Sequence, residues 1–177
     1  MNGIDREFTE NKIIILYMLN EIALPVSGLH LTDILVRNAF MNYFSQQESI
    51  SELLDSKMIK EYTDETGKNF YIITEDGKKA VQLLNDIIPI PIRQAFDNRK
   101  NEIRQKIKRD WEINARHYID DNDNHYVRCY VRDGDAFLID MKISAGNEKL
   151  ASKMCSNWKR NVEKIYSMVI SKMLDDT

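Results

Sequence analysis

Histidines and acids gather at one place in this chain. His117, Asp120, Asp121, Asp123 and His125 fall close together, and these side chains can ligate a divalent metal or move a proton. Their spacing argues against a metal. The acidic stretch lacks the Gly at position 6 and the Glu at position 12 of an EF-hand loop. His117 and His125 should sit on paired strands, but no third ligand stands at a fixed spacing from them. A hydrophilic hairpin loop is the expectation, with no metal site. His30 is isolated. Cys129 and Cys155 are far apart and form no ligand-spaced pair, so they read as structural thiols in a reducing cytoplasm. The chain shows no dinucleotide fingerprint, phosphate loop, nucleophile elbow or zinc pair. No catalytic residue and no cofactor is assigned, and an enzyme is the class with least support.

A second kind of chemistry, recognition by amides and hydroxyls, is concentrated from Ser45 to Ile59. Ser45 and Glu48 form a capping box that should start a helix there, with Asn42 as a rival cap three residues earlier. Ile50, Leu53, Leu54 and Met58 make an apolar stripe at helical spacing. Gln46, Gln47, Ser49 and Ser51 are expected on the opposite, outward face. Ile59–Tyr62 reads as a strand, Thr63–Lys68 as a turn and Asn69–Thr74 as the returning strand. Thr74 begins another helix, running to about Ile88. Helix, hairpin and helix in this order are the signature of a winged helix-turn-helix. Upstream, Thr9 is the expected cap of a first helix to about Glu21, apolar on most of its circumference. Thr32 is the expected cap of a short second one.

Three motifs carry a resemblance. Leu53-x-x-x-Lys57-Met58-Ile59 is similar to the Leu-x-x-x-Gly-Leu-Ile that closes the recognition helix of winged-helix transcription regulators, with Lys57 where they carry Gly. Tyr71-Ile72-Ile73-Thr74-x-x-Gly77-Lys78 resembles the Tyr-x-Leu-Thr-x-x-Gly-Arg with which they leave the wing. Asn42-Tyr43-Phe44-Ser45-Gln46-Gln47 is similar to an element of an uncharacterised winged-helix family from low-GC Gram-positive bacteria, a likeness that extends along the full chain. The resemblance implies a transcription regulator that binds double-stranded DNA as a homodimer. Ser45, Gln46, Gln47 and Ser49 would then face base edges, and Lys60, Lys68 and Lys78 would meet phosphates. No effector ligand is assigned.

Pro89 and Pro91 interrupt an apolar stretch and set the expected boundary between a domain of residues 1–88 and one of residues 89–177. Pro91 should open a fourth long helix with Ile92, Phe96, Ile103, Ile107 and Trp111 inward. Its other faces carry Arg99, Lys100, Arg104, Lys106 and Lys108, of which Arg99, Lys100, Arg104 and Lys108 are the further phosphate candidates. Alternation then predicts strands at Ile113–Ile119, Tyr126–Arg132 and Phe137–Ile143, with Asp133-Gly134 as a hairpin turn. A final helix should run from about Glu148 to Leu174. Its stripe of Met154, Trp158, Val162, Ile165 and Val169 is long enough to suggest a dimer seam. The predicted class is therefore α+β: a winged helix-turn-helix, then a helix, a three-stranded antiparallel sheet and a long helix.

Composition bounds these readings. With 43% hydrophobic and 30% charged residues over 177 positions, the chain is globular rather than disordered. No apolar run reaches the roughly 18 residues of a membrane span, and no signal peptide is indicated, so a cytoplasmic protein is expected. Residues 1–88 hold 8 Lys and Arg against 14 Asp and Glu, whereas residues 89–177 hold 17 against 14. The expected DNA reader is thus the acidic half. That asymmetry, with the absence of any base in the Ser45 helix before Lys57, supports an alternative: a winged-helix module that binds protein and not DNA.

Overall fold

The computed structural model describes residues 3–63, 68–134 and 136–175. Among these the chain is α+β, with seven α-helices and two three-stranded antiparallel sheets. It divides into two compact units, Met1–Ile107 and Lys108–Thr177.

In the first unit, α1 (Gly3–Ile22) begins six residues before the expected Thr9 cap. Ile13, Ile14, Ile15, Leu16, Met18, Leu19 and Ile22 are all buried, because a helix apolar on all sides must be covered on all sides. β1 (Val26–Ser27) leads into α2 (Gly28–Leu35), capped by Ser27, whose Oγ accepts from the His30 N–H. The expected cap, Thr32, lies inside α2. Ser27 takes the role because it already has extended backbone and pairs with Phe70 in the sheet. α3 (Tyr43–Asp55) starts at the rival cap: Asn42 Oδ1 accepts from the Ser45 N–H at 2.9 Å.

β2 (Ile59–Thr63) and β3 (Asn69–Ile73) pair from Ile59↔Ile73 to Thr63↔Asn69, and β1 adds to β3, giving the order β1-β3-β2. Of the expected turn Thr63–Lys68, residues 64–67 lie outside the described residues. α4 (Glu75–Leu84) ends earlier than expected, in a 3-10 turn at Asn85–Ile87. The expected fourth helix is two, α5 (Ile90–Asp97) and α6 (Lys100–Glu112), separated at Asn98–Arg99. The break lets Phe96 and Ile107 both enter the core built on α1. The Tyr17 hydroxyl donates to Asp97 Oδ1 at 2.7 Å, further tying α5 to α1. The expected boundary at Ile88 and Pro89 therefore lies inside the first unit, and the division falls within α6.

The second unit is a two-layer arrangement. β4 (Ile113–Ile119), β5 (His125–Asp133) and β6 (Ala136–Ser144) form the meander β4-β5-β6, with an irregularity at Val131/Arg132. α7 (Glu148–Leu174) has the expected bounds, is capped by Asn147, and is interrupted at Asn161 by non-helical φ −120 and ψ 15. One face of the sheet supplies Ala115, Val127 and Cys129 to a core with Ala151, Trp158 and Val162 of α7, and Met154 and Ile165 pack at its edge. Most of the expected dimer seam is engaged inside the unit. Trp158 and Val162 are buried within their own unit, and Met154 and Ile165 are partly covered by the same sheet. Of the five residues only Val169 stands outside that core.

Candidate functional site

The geometry around α3 begins at its two ends. At the C-terminus, Lys57 takes φ +58. The Met58 N–H reaches Leu53 O and the Lys57 N–H reaches Leu54 O, both at 2.9 Å, the paired bonds of a Schellman turn. The lysine therefore makes the left-handed turn a glycine would make. Thr74 then joins the hairpin to α4. Its Oγ1 donates toward Lys57 O and Met58 O and accepts from the Gly77 N–H, and its own N–H donates to Met58 O. Gly77 fits because a Cβ there would stand 2.2 Å from Met58 O. The Thr-x-x-Gly motif thus clamps the start of α4 onto the turn that ends α3.

Between those ends α3 presents an unexpected face. Gln46 and Ser49 are 0% exposed. Gln46 Nε2 donates to Thr32 Oγ1 at 3.0 Å, joining α3 to α2. Neither residue can touch a ligand from this position. The periodicity held the signal, since 46, 49, 50 and 53 follow the i, i+3, i+4, i+7 rule of one buried stripe. The polar type of Gln46 and Ser49 obscured it. The outward stripe is Tyr43, Phe44, Gln47, Glu48, Ser51 and Asp55. Phe44 is 82% exposed and meets the Tyr43 ring edge-on at a centroid distance of 6.1 Å. Glu52 is held by Lys12 at 3.0 Å. Of the four base-reading candidates, Gln47 is outward, Ser45 is half-buried beside Asn42, and the other two are inside.

The phosphate candidates separate in the same way. Lys60 is exposed on β2. Lys68 is half-buried, with Nζ 5.1 Å from the Phe70 ring centroid. Lys78 pairs with Glu75 at 2.7 Å. Arg99 donates to Asn38 Oδ1 at 2.9 Å, and Lys100 bonds Glu21 at 2.8 Å, which raises the lysine's pKa. Lys106 lies 3.6 Å from Asp33. Arg104 is exposed. Lys108 belongs to the second unit and lies 3.5 Å from Glu112. Much of the expected basic helix face is thus engaged with nearby acids of its own unit. Sequence reasoning missed Arg37, whose side chain is 80% exposed near the C-terminal end of α2 and pairs with Asp33 at 2.8 Å. It also missed the exposed Tyr43 and Phe44 pair. With Asn42 as cap, both fall on the outward first turn.

His117 and His125 do meet across β4 and β5, at 2.7 Å between Nε2 and Nδ1 with nearly parallel rings. Asp120 Oδ1 accepts from the backbone of Asn122 and Asn124, which closes the loop on itself. Among the described residues no group of three or more His, Cys, Asp or Glu is placed to hold a metal. Burial pushes the Cys129 thiol up to about 11, which keeps it protonated and unreactive at neutral pH.

Fold and site together define an α+β protein whose first unit presents a helix and a hairpin. Residues 11–173 match the family described as Domain of unknown function (DUF4364), and the chain belongs to that uncharacterised family. No curated protein and no solved structure matches it. Among the described residues no helix is long and apolar enough to cross a membrane.

Proposed function

We propose that the chain is a cytoplasmic winged helix-turn-helix regulator that binds double-stranded DNA as a homodimer. The observation that carries this reading is the outward N-terminal turn of α3. It is capped by Asn42, contains no acid, and is followed by the exposed Gln47. Recognition helices meet base edges with their N-terminal residues, where the helix dipole is positive. Gln47 suits adenine N6 and N7, and the exposed Phe44 suits a thymine methyl. Arg37, Lys60 and Lys68 of the same unit supply phosphate contacts, with β2–β3 as the wing. Dimerisation would use the end of α7, where Val169 is half-buried and Met168, Met173 and Leu174 are exposed.

The second reading, a protein-docking winged helix, rests on the rest of that stripe. Beyond its first turn the outward face of α3 carries Glu48 and Asp55 and no base. An exposed aromatic pair bordered by acids fits a basic, apolar partner segment. Selection of genomic fragments on the purified chain at about 50 mM salt, followed by titration of any winner, separates the two readings. The DNA reading expects enrichment of one sequence. It also expects Gln47→Ala to lose about 1–3 kcal/mol of discrimination at one base pair. Failure to enrich any fragment over random DNA would leave the docking reading in place.

A further inference from the structure

The strands on either side of the loop of residues 120–124 bring His117 and His125 to one side of the second sheet. Ala115, Val127 and Cys129 on that side join the core under α7, and strand alternation places both histidines with them. His117 Nε2 and His125 Nδ1 are 2.7 Å apart, the rings are inclined by 17°, and their centroids are 4.9 Å apart. That centroid separation is close to the N···N distance plus the two ring radii. The rings therefore meet edge to edge in nearly one plane, each nitrogen aimed at the other. A zinc–imidazole bond is about 2.0–2.1 Å long, so no such ion fits between nitrogens 2.7 Å apart. A single proton does fit. In the neutral pair one nitrogen donates and the other accepts, so the tautomer of one ring sets that of the other. The surroundings are poor in charge. On the same side of the strands the neighbours are Ala115 and Ile119 of β4, Val127 of β5 and Ile143 of β6, all uncharged. α7 packs Ala151, Met154, Cys155, Trp158, Val162 and Ile165 toward the sheet. Of these only Cys155 titrates, and burial pushes its thiol up. The connecting loop carries Asp120, Asp121 and Asp123. Asp120 is committed to Asn122 and Asn124, and Asp121 and Asp123 are exposed.

We propose that His117 and His125 form a proton-operated latch, closed while the pair holds no more than one added proton and opened when both rings are charged. The first added proton leaves one cationic N–H donating to the facing nitrogen, so the contact survives as a charge-assisted hydrogen bond. The second converts the acceptor into a donor. Two N–H groups and two positive charges then oppose each other across 2.7 Å, and the rings must part. Histidine is the side chain whose charge changes between about pH 5 and 8, so opening belongs to acidification from neutral pH. The sign follows from counting protons. In acid the opened pair holds two added protons and the closed pair holds one. Closure is thus complete at the neutral end and is lost as pH falls, by up to about tenfold in the closed-to-open ratio for each pH unit. The backbone defines what opens. The Ala145 N–H donates to His125 O at 2.8 Å, and the N–H of Asn147, the cap of α7, donates to Ala145 O at 2.8 Å. Within the loop the Asp120 N–H donates to Asn124 O at 3.1 Å. Displacing His125 loosens both the loop and the entry to α7.

The test is amide hydrogen exchange of the full chain, followed by NMR and corrected for the intrinsic effect of pH on exchange, with ring-nitrogen shifts read on the same samples. Protection of the Asp120 and Ala145 amides should fall about tenfold or more between about pH 7.5 and about pH 5.5. The Met58 amide of the first unit, which donates to Leu53 O, should keep its protection. At the upper pH the two facing nitrogens should differ, one protonated and one bare. His117→Gln and His125→Gln each remove the second charge, so in either variant the fall should shrink to about twofold or less. If these variants lower the melting temperature, the ring shifts of the unmodified chain decide: both rings should become fully protonated only as the two amides lose protection. The proposal is overturned if both rings charge while the two amides stay protected. It is equally overturned if the amides open before the second ring charges, or if either glutamine variant keeps the full fall, which would assign the opening to the loop carboxylates.

Discussion

Lys57 holds a left-handed backbone, φ +58, that costs a residue with a Cβ about 1–2 kcal/mol. Glycine there loses more freedom on folding, a cost of about 0.5–1 kcal/mol, so the two terms partly cancel. Lys57→Gly should raise stability by about 0.5–1 kcal/mol, read as a higher urea midpoint with an unchanged slope. Gly77 is the opposite case. A methyl group there would meet Met58 O at 2.2 Å and Ile73 Cγ1 at 2.8 Å, and overpacking of this kind costs about 1–3 kcal/mol. Gly77→Ala should therefore lower the same midpoint. An unchanged midpoint would mean that α4 can move off the Met58 carbonyl without loss.

At the scale of elements, α7 divides its apolar stripe between two tasks. Its first half is absorbed by the sheet, where Trp158 is 3% exposed. The last turns carry Met168, Met173 and Leu174 outward. Trp158→Ala should cost about 3–5 kcal/mol of stability through the lost packing. Its effect belongs to folding of the unit and should leave any self-association of the folded protein unchanged. Val169→Glu tests the dimer directly. Sedimentation equilibrium should show a dimer for the unmodified chain and a monomer for this variant, with little change in melting temperature. A monomer in both would remove the end of α7 as an interface.

For the whole molecule, charge sets the terms of any DNA contact. The acids outnumber the bases in residues 1–88 by 14 to 8, and several of those bases already pair with acids. Few phosphates can be neutralised, so affinity for duplex should be moderate, with a salt slope of about −0.9 for each one met. Glu48 faces outward one turn into α3, close to where a backbone would run. Glu48→Lys should tighten duplex binding and steepen the slope by about 1. It should weaken docking of a basic protein segment if that is the true partner. The two readings therefore predict opposite signs for one substitution.

Much of the secondary structure was legible because its signals are local. Alternation fixed the meander, and the stripe from Leu150 to Met173 fixed α7 from Glu148 to Leu174. Thr74 and Gly77 marked the join of hairpin and helix before any contact was known. Tertiary structure decided what depends on a partner surface. Asn42 and Ser45 are both able caps, and so are Ser27 and Thr32, so backbone conformation and sheet pairing chose between them. Gln46 and Ser49 are polar by type, yet α3 packs on the side they share with Ile50 and Leu53, and position on the helix outweighed polarity. The break at Asn98 follows from the need to bring Phe96 and Ile107 into one core. The meeting of the His117 and His125 nitrogens depended on strand register and on both rings lying on the α7 side of the sheet, so spacing along the chain did not contain it.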